Sequence, residues 1–259
     1  VDMSKVKNVL LSEARVRARV AVAEVEPRVD TLWVGNFSKL AVGDFGTPTF
    51  HGRFHPEIVL QALLRYMPDY EEAMRSLVWD PMAGGGTTGD VCAACKIPCV
   101  MSDLDPIRED IFEWDAADKL RKNSLCPVYP ESVDILVLHP PYWSMIGYGT
   151  PMDRAKDADE FREEFRKVAG ATSEAVKYGG HAVLVVPASY YTNGEDNPVD
   201  LWCLDSMLAV GYTIRGRVAK EFGETKQGHK RSTALWKYRA LNHGFWEYGW
   251  EEVIFLRKD

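Results

Sequence analysis

The order of apolar runs along the chain constrains its fold more than any other feature. Short continuous apolar stretches, SLVWD (76–80), PCVMSD (98–103), VDILVLH (133–139) and HAVLVVP (181–187), alternate with stretches of helical period. Those helical stretches are PEIVLQALLRYM (56–67), TTGDVCAACK (87–96), DADEFREEFRKVAGATSEAVKY (157–178) and VDLWCLDSMLAVG (199–211). A run that is apolar throughout, rather than at every second residue, is buried on both faces. Such strands separated by helices make a mostly parallel sheet covered on both sides. Two last runs, YTIRGRVAKE (212–221) and EEVIFLR (251–257), show no helical pattern between them, which predicts an antiparallel hairpin at one edge. With one more strand ending near Asp115, the expectation is an α/β chain built on a seven-stranded, Rossmann-like sheet.

At 259 residues and 46% hydrophobic content the chain is long enough for a sizeable core. No apolar run reaches bilayer length and no signal peptide is visible, so a cytoplasmic location without membrane contact is expected. Val1-Asp2 reads as a cloning remnant before Met3. A net charge of -7 argues against coating nucleic acid by bulk charge and leaves room for a local basic groove. The five cysteines are an odd number, which suits a reducing compartment. Cys92 and Cys95 have a zinc-like spacing but no second Cys or His pair follows, so they read as small buried thiols and no metal is expected. Residues 4–26 have the pattern of an amphipathic helix ended by Pro27, and 28–54 are broken by glycines and prolines. Residues 1–53 are therefore read as an N-terminal helical and irregular extension, and 54–259 as the main domain.

Two strand ends carry unusual residues. VWDPMAGGGTTGDV (78–91) runs from a strand ending at Asp80 through Gly84, Gly85 and Gly86 to a helix opening at Thr87-Thr88. Glycines let backbone approach a ligand, and a helix N-terminus offers unpaired N–H groups. The stretch lacks the lysine of a phosphate-binding P-loop and the full spacing of a dinucleotide fingerprint. Asp103 closes the next strand, where a carboxylate suits the two hydroxyls of a ribose, with Asp105 as the alternative if the register differs. Asp115 lies where a further strand would end and would accept from an adenine amino group, the plainer alternative for these acids being surface loops. The second strand end, VDILVLHPPYW (133–143), stops in two prolines, a tyrosine and a tryptophan. Pro140 and Pro141 bring carbonyls without N–H donors, and Tyr142 offers a face on which a planar base can stack.

DPMAGGGTT, SDLDP, WDAAD and HPPYW, in that order and each at a strand end, resemble the motif series of the DNA amino-methyltransferases, S-adenosylmethionine-dependent enzymes that modify N4 of cytosine or N6 of adenine. FHPEIVLQALL (54–64) resembles the helix that precedes the glycine loop in that family, and the likeness runs over about residues 50–259. The resemblance implies a class I methyltransferase fold and S-adenosyl-L-methionine as cofactor. It implies cofactor contacts from Phe54, His55, Asp80, Pro81, Met82, Ala83, Gly84, Gly85, Gly86, Thr87, Thr88, Asp103, Leu104, Asp115 and Ala116. His55 also reads as a cap for the helix that Pro56 opens. Catalysis would fall to His139, Pro140, Pro141, Tyr142 and Trp143, with the Pro140 carbonyl and the first side chain accepting the two amine hydrogens of a flipped-out base.

One residue departs from the family. The first motif position is Asp or Asn in adenine enzymes and Ser or Thr in many cytosine enzymes, and here it is His139. A neutral imidazole accepts through one nitrogen only, so activity is expected to depend on its tautomer and on pH. Trp143 after the tyrosine leans the target toward cytosine N4. The family's large target-recognition domain has no counterpart between Thr88 and His139 or after the last strand. Recognition of DNA, or of RNA as the alternative partner, then falls to loops, to residues 28–53, to a second copy in a homodimer or to a separate recognition subunit. Two loops are candidates: 143–160 as a lid, and 220–239 as a basic segment with Lys220, Lys226, Lys230, Arg231, Lys237 and Arg239, which otherwise reads as a solvated hairpin loop. A cofactor-binding regulatory subunit is the reading from another functional class.

Overall fold

The computed structural model describes residues 25–34, 45–67, 69–120, 128–192, 195–221 and 249–259, with a few more between 238 and 246. Residues 4–24 of the helix expected over 4–26, and most of the basic 220–239 segment, lie outside the described residues; residues 25 and 26 are not helical. Ten strands are described: β1 (Leu32–Trp33), β2 (Val78–Asp80), β3 (Cys99–Asp103), β4 (Phe112–Glu113), β5 (Val133–Leu138), β6 (Val176–Pro187), β7 (Tyr190–Thr192), β8 (Glu195–Asn197), β9 (Tyr212–Glu221) and β10 (Trp250–Lys258). The helices are α1 (Glu57–Tyr66), α2 (Tyr70–Ala73), α3 (Thr87–Cys95), α4 (Ala158–Ala175) and α5 (Val199–Ala209).

Eight strands form one sheet in the order β1-β9-β10-β6-β5-β2-β3-β4. The seven expected strands are all present, and β1, from the stretch read as irregular, adds an eighth beside β9. β10 runs antiparallel to both β6 and β9, and the other pairings in the sheet are parallel. β7 and β8 form a separate two-stranded hairpin that the sequence pattern did not announce.

The sheet is buried on both faces with period two. Ile135 and Val137 of β5, with Val183 and Val185 of β6, pack in one cluster with Ile58, Val59 and Leu63 of α1. Leu136, Leu138, Leu184 and Val186 pack in the opposite cluster with Phe161 and Phe165 of α4 and Met207 of α5. Each such side chain contributes about 1.5–3 kcal/mol on burial, which is why continuous apolar runs dictated a two-sided core. α4 starts where Asp157 accepts the Glu160 amide at 2.9 Å, an N-cap that satisfies one of the helix's unpaired donors.

The chain leaves β2 outward to β3 and β4, then returns to lay β5 on the other side of β2. That reversal is a switch point, where an open parallel sheet parts its connections and leaves a crevice beyond the strand tips.

Candidate active site

The two unusual strand ends meet at this crevice. β2 and β5 are parallel neighbours, with Val78 opposite Ile135 and Trp79 opposite Leu136. A cleft of about 1010 Å³ opens beyond their tips, lined by Pro81, Met82 and Gly84 from the first and by His139, Pro140, Pro141 and Tyr142 from the second.

The glycine turn is held by local bonds. Asp80 is wholly buried behind it, accepting the Met82 amide at 3.0 Å and the Thr88 hydroxyl. Burial pushes its carboxyl up to about 7 against the pull of those two bonds. Gly84 takes φ +45°, in the left-handed region, and donates its N–H to Asp103 at 2.8 Å; the other Asp103 oxygen accepts the Asp105 amide at 3.1 Å. Burial raises Asp103 too, with those amides opposing the rise. Arg108 braces the turn from the side, bonding the Gly85 carbonyl at 3.2 Å and both oxygens of Asp90 at 3.0 Å. Nothing in the local pattern around Arg108 marked it, since it stands among acids in a loop.

The proline corner is held by distant partners. The Tyr142 hydroxyl donates to Glu251 at 2.9 Å and lies 3.0 Å from His139 Nε2. Glu251 also pairs with Lys220 at 2.6 Å, both side chains 6% exposed. Burial pushes His139 down to about 4, with Lys220 adding to the shift and Glu251 opposing it. The Pro140 carbonyl accepts no hydrogen bond from the described residues. Trp143 turns away from the cleft into the core, donating Nε1–H to the Ala155 carbonyl at 2.8 Å and stacking on Phe161.

Two segments wall the cleft above. Phe50 stacks on Tyr148 with ring centroids 5.9 Å apart, and the Tyr148 hydroxyl donates to the His51 carbonyl at 3.2 Å. The stretch read as a lid, 143–160, therefore rests against residues 50–52.

Of the expected cofactor residues, His55, Pro81, Met82, Gly84, Asp103, Leu104, Asp115 and Ala116 line this cleft together. Phe54, Asp80, Ala83, Gly85, Gly86, Thr87 and Thr88 stand behind its wall and shape it. His55 Nδ1 accepts the Glu57 amide at 3.2 Å, so it acts at the helix start as well as lining the cleft, and burial and then Lys220 push it down to about 4. Two expectations are corrected. Trp143 anchors the corner from the core side and does not face the cleft. Lys220, assigned to the phosphate-contacting loop, is buried against Glu251 and lines the cleft, because it lies within β9 opposite that carboxylate on β10. The sequence pattern also passed over Glu251, Phe50 and Tyr148, which meet the site only through long-range packing.

Among the described residues no group of three or more His, Cys, Asp or Glu is placed to hold a metal, and no helix is long and apolar enough to cross a membrane. Cys92, Cys95, Cys99 and Cys203 are free thiols.

No protein-family model and no curated protein matches the chain. Similar solved structures include TrmN from Thermus thermophilus, 17% identical over 81% of this chain and 50% of that one, TM-score 0.49. A SAM-dependent methyltransferase from Archaeoglobus fulgidus is 14% identical over 80% and 96%, TM-score 0.45. A TehB-like SAM-dependent methyltransferase from Corynebacterium glutamicum is 15% identical over 80% and 89%, TM-score 0.44. The chain spans half the length of the first of these. Likeness at this level says nothing of substrate, so function has to be read from the site.

Proposed function

We propose that the chain is an S-adenosylmethionine-dependent methyltransferase that modifies the exocyclic amine of a base in DNA, cytosine N4 ahead of adenine N6. The observation that carries the proposal is the meeting of the glycine turn and the His139-Pro140-Pro141-Tyr142 corner in one cleft, on adjacent strand tips at the switch point.

The cleft residues fit the cofactor. Gly84 presents bare backbone, and Asp103 and Asp115 bring two carboxylates to the same wall, one beyond β3 and one beyond β4. Asp103 keeps lone pairs beyond its two amide bonds for ribose hydroxyls, and Asp115, whose Oδ1 accepts the Ala117 amide at 2.8 Å, does the same for an amino group. Bound cofactor supplies an electrophilic methyl group on a sulfonium.

The chain's own groups activate the acceptor. The lone pair of an exocyclic amine is delocalised into its ring, and acceptors for both amine hydrogens draw the nitrogen toward a tetrahedral, nucleophilic form. The unbonded Pro140 carbonyl and the neutral His139 imidazole are two such acceptors, and the prolines bring no competing N–H. The Tyr142 ring offers the planar face for a base lifted from its stack. Positioning and fixed dipoles then favour the transfer without a covalent enzyme intermediate. The 143–160 segment, which walls the cleft, is the part placed to meet the polymer.

The test is incubation with methyl-labelled cofactor and either DNA or RNA, followed by digestion and nucleoside mass spectrometry. N4-methylcytosine or N6-methyladenine in DNA is the expected product. Label in RNA alone moves the substrate class, and cofactor binding without label in either polymer supports a regulatory subunit instead.

A further inference from the structure

We infer that Glu251, held by Lys220, sets the tautomer of His139 through the Tyr142 hydroxyl, so that the imidazole offers Nδ1 to the cleft as a hydrogen-bond acceptor. The inference rests on the methyl-transfer reading only for what that acceptor is used for.

The four groups leave one arrangement of protons. A phenol carries a single hydrogen, and Tyr142 donates it to Glu251 at 2.9 Å. The other Glu251 oxygen lies 2.6 Å from Lys220 Nζ, a group that only donates, so both oxygens of that carboxylate are engaged as acceptors. The Tyr142 oxygen can then only accept from His139 Nε2, 3.0 Å away. A neutral imidazole has one N–H, so the proton stands on Nε2 and Nδ1 keeps its lone pair. No hydrogen bond to Nδ1 is formed among the described residues, and His139 lines the cleft. Burial and Lys220 together keep the ring neutral at ordinary pH.

The geometry is costly for anything less. Glu251 and Lys220 stand directly opposite one another on β10 and β9, and Tyr142 reaches them past the Pro187 end of β6, which pairs with Glu251. A buried ion pair adds little stability over a well-packed apolar pair, because desolvation offsets its attraction. What an apolar pair lacks is an acceptor that holds no proton of its own, the property needed to orient the hydroxyl. Asp or Asn at position 139 would accept without such help. A histidine needs its tautomer imposed, and that need explains why the network accompanies this residue.

Glu251→Gln is the decisive change, because it keeps the contacts and reverses the donors from position 251 through Tyr142 to His139. The glutamine oxygen turns to the Lys220 ammonium and its NH2 group to the Tyr142 oxygen. Tyr142 then donates to His139 Nε2, and the ring proton moves to Nδ1. The direct readout is the 15N spectrum of protein labelled in histidine, with the His139 signals assigned by their loss in His139→Asn. Wild-type protein should show a protonated Nε2 and an unprotonated Nδ1, and Glu251→Gln should invert them. Tyr142→Phe, which leaves the ion pair in place, should give a mixture.

The kinetic readout is methylation rate. Glu251→Gln should lower kcat about a hundredfold, the usual cost of losing one pre-aimed hydrogen-bond group, with cofactor affinity unchanged. In a His139→Asn background the same change should cost less than about twofold, since an amide oxygen has no tautomer to impose. An Nδ1–H tautomer in wild-type protein overturns the inference, as does an unchanged tautomer in Glu251→Gln. Equal kinetic cost in both backgrounds would mean that Glu251 merely supports the fold, and also overturns it. If the tautomer inverts as expected while wild-type protein methylates no polynucleotide, the methyl-transfer reading fails and the inference stands.

Discussion

The glycine turn after β2 and the proline corner after β5 sit on neighbouring strands and are fixed by different means: the first mainly through backbone groups, the second through side chains. The turn is held largely by bonds that involve backbone: Asp80 to Met82, Gly84 to Asp103, Arg108 to Gly85, and Thr47 N–H to the Gly85 carbonyl at 2.7 Å. Several of these involve backbone amides, which any residue supplies. The corner is held by side chains, through Tyr142 to Glu251, 109 positions away, and on to Lys220. A ligand cradle made from backbone depends on which residues are absent, here any side chain at Gly84. A corner made from side-chain networks depends on the identity of each member, so exchanging one residue, as with His139, requires partners to match. The difference teaches that the turn is set mostly by where the backbone runs and the corner by which side chains stand behind it.

The largest expected effect breaks the turn and spares the corner. A Cβ at Gly84 would lie 2.6 Å from the Phe50 ring, at a φ of +45° that side chains rarely adopt. Left-handed strain of about 1–2 kcal/mol adds to that clash, so Gly84→Val should weaken S-adenosylmethionine binding roughly a hundredfold or more at 1.4 kcal/mol per tenfold. Isothermal titration calorimetry measures it, and the His139 tautomer should stay as in wild type. Retained affinity would show that the cradle does not lie at Gly84.

The next effect separates the corner by pH. His139 is flanked by Tyr142 from its own loop, Glu251 from β10 and Lys220 from β9, and its pKa falls from 6.5 to about 4. A group whose folded pKa is depressed keeps its neutral, accepting form as pH drops below its usual value. The acid limb of kcat/KM should therefore fall near pH 4–5 rather than 6.5. A histidine of ordinary pKa would lose about sixteenfold between pH 6.5 and 5 by the same titration. The linked stability has a definite sign: it is complete above pH 6.5 and is lost as pH falls toward 4, because the unfolded chain takes up a proton that the folded one refuses. Tm against pH for wild type and His139→Asn measures that loss, which should be smaller in the variant. An acid limb at 6.5 with Tm unchanged would mean that His139 is solvated in the working enzyme.

Legibility followed the same division. The runs that became β2, β3, β5, β6, β9 and β10 announced themselves because burial on both faces leaves no polar position to interrupt them. DPMAGGGTT and HPPYW were visible because each departs sharply from strand composition at a strand's end. β1 has two residues and pairs only through Ala219 and Lys220, so no periodicity could mark it. β7 and β8 are three residues each, too short for an alternating pattern. Arg108, Phe50 and Tyr148 carry no local signal, since their roles come from loops that meet only in the folded chain. Lys220 misled for a physical reason: it lies near the end of β9, before a basic stretch, and only the register of β9 against β10 reveals its partner.

The smallest effect probes how far the two regions are independent. Trp143 has φ +50°, a left-handed conformation costing a non-glycine residue about 1–2 kcal/mol. Its Nε1–H bond to Ala155 and its stack on Phe161 hold that conformation, and with it the direction in which Pro140, Pro141 and Tyr142 enter the cleft. Trp143→Phe keeps an aromatic ring in the core but leaves the Ala155 carbonyl without its donor, a loss of about 1–3 kcal/mol. At this chain length each kcal/mol lowers Tm by about 2–4 °C, which differential scanning calorimetry resolves. Turnover should fall several-fold as the corner loosens, and the affinity for S-adenosylmethionine should stay within twofold, because no bond of the glycine turn involves Trp143. If cofactor affinity falls in step with turnover, the two strand tips share one rigid support, and the separation between a backbone-built turn and a side-chain-built corner is lost.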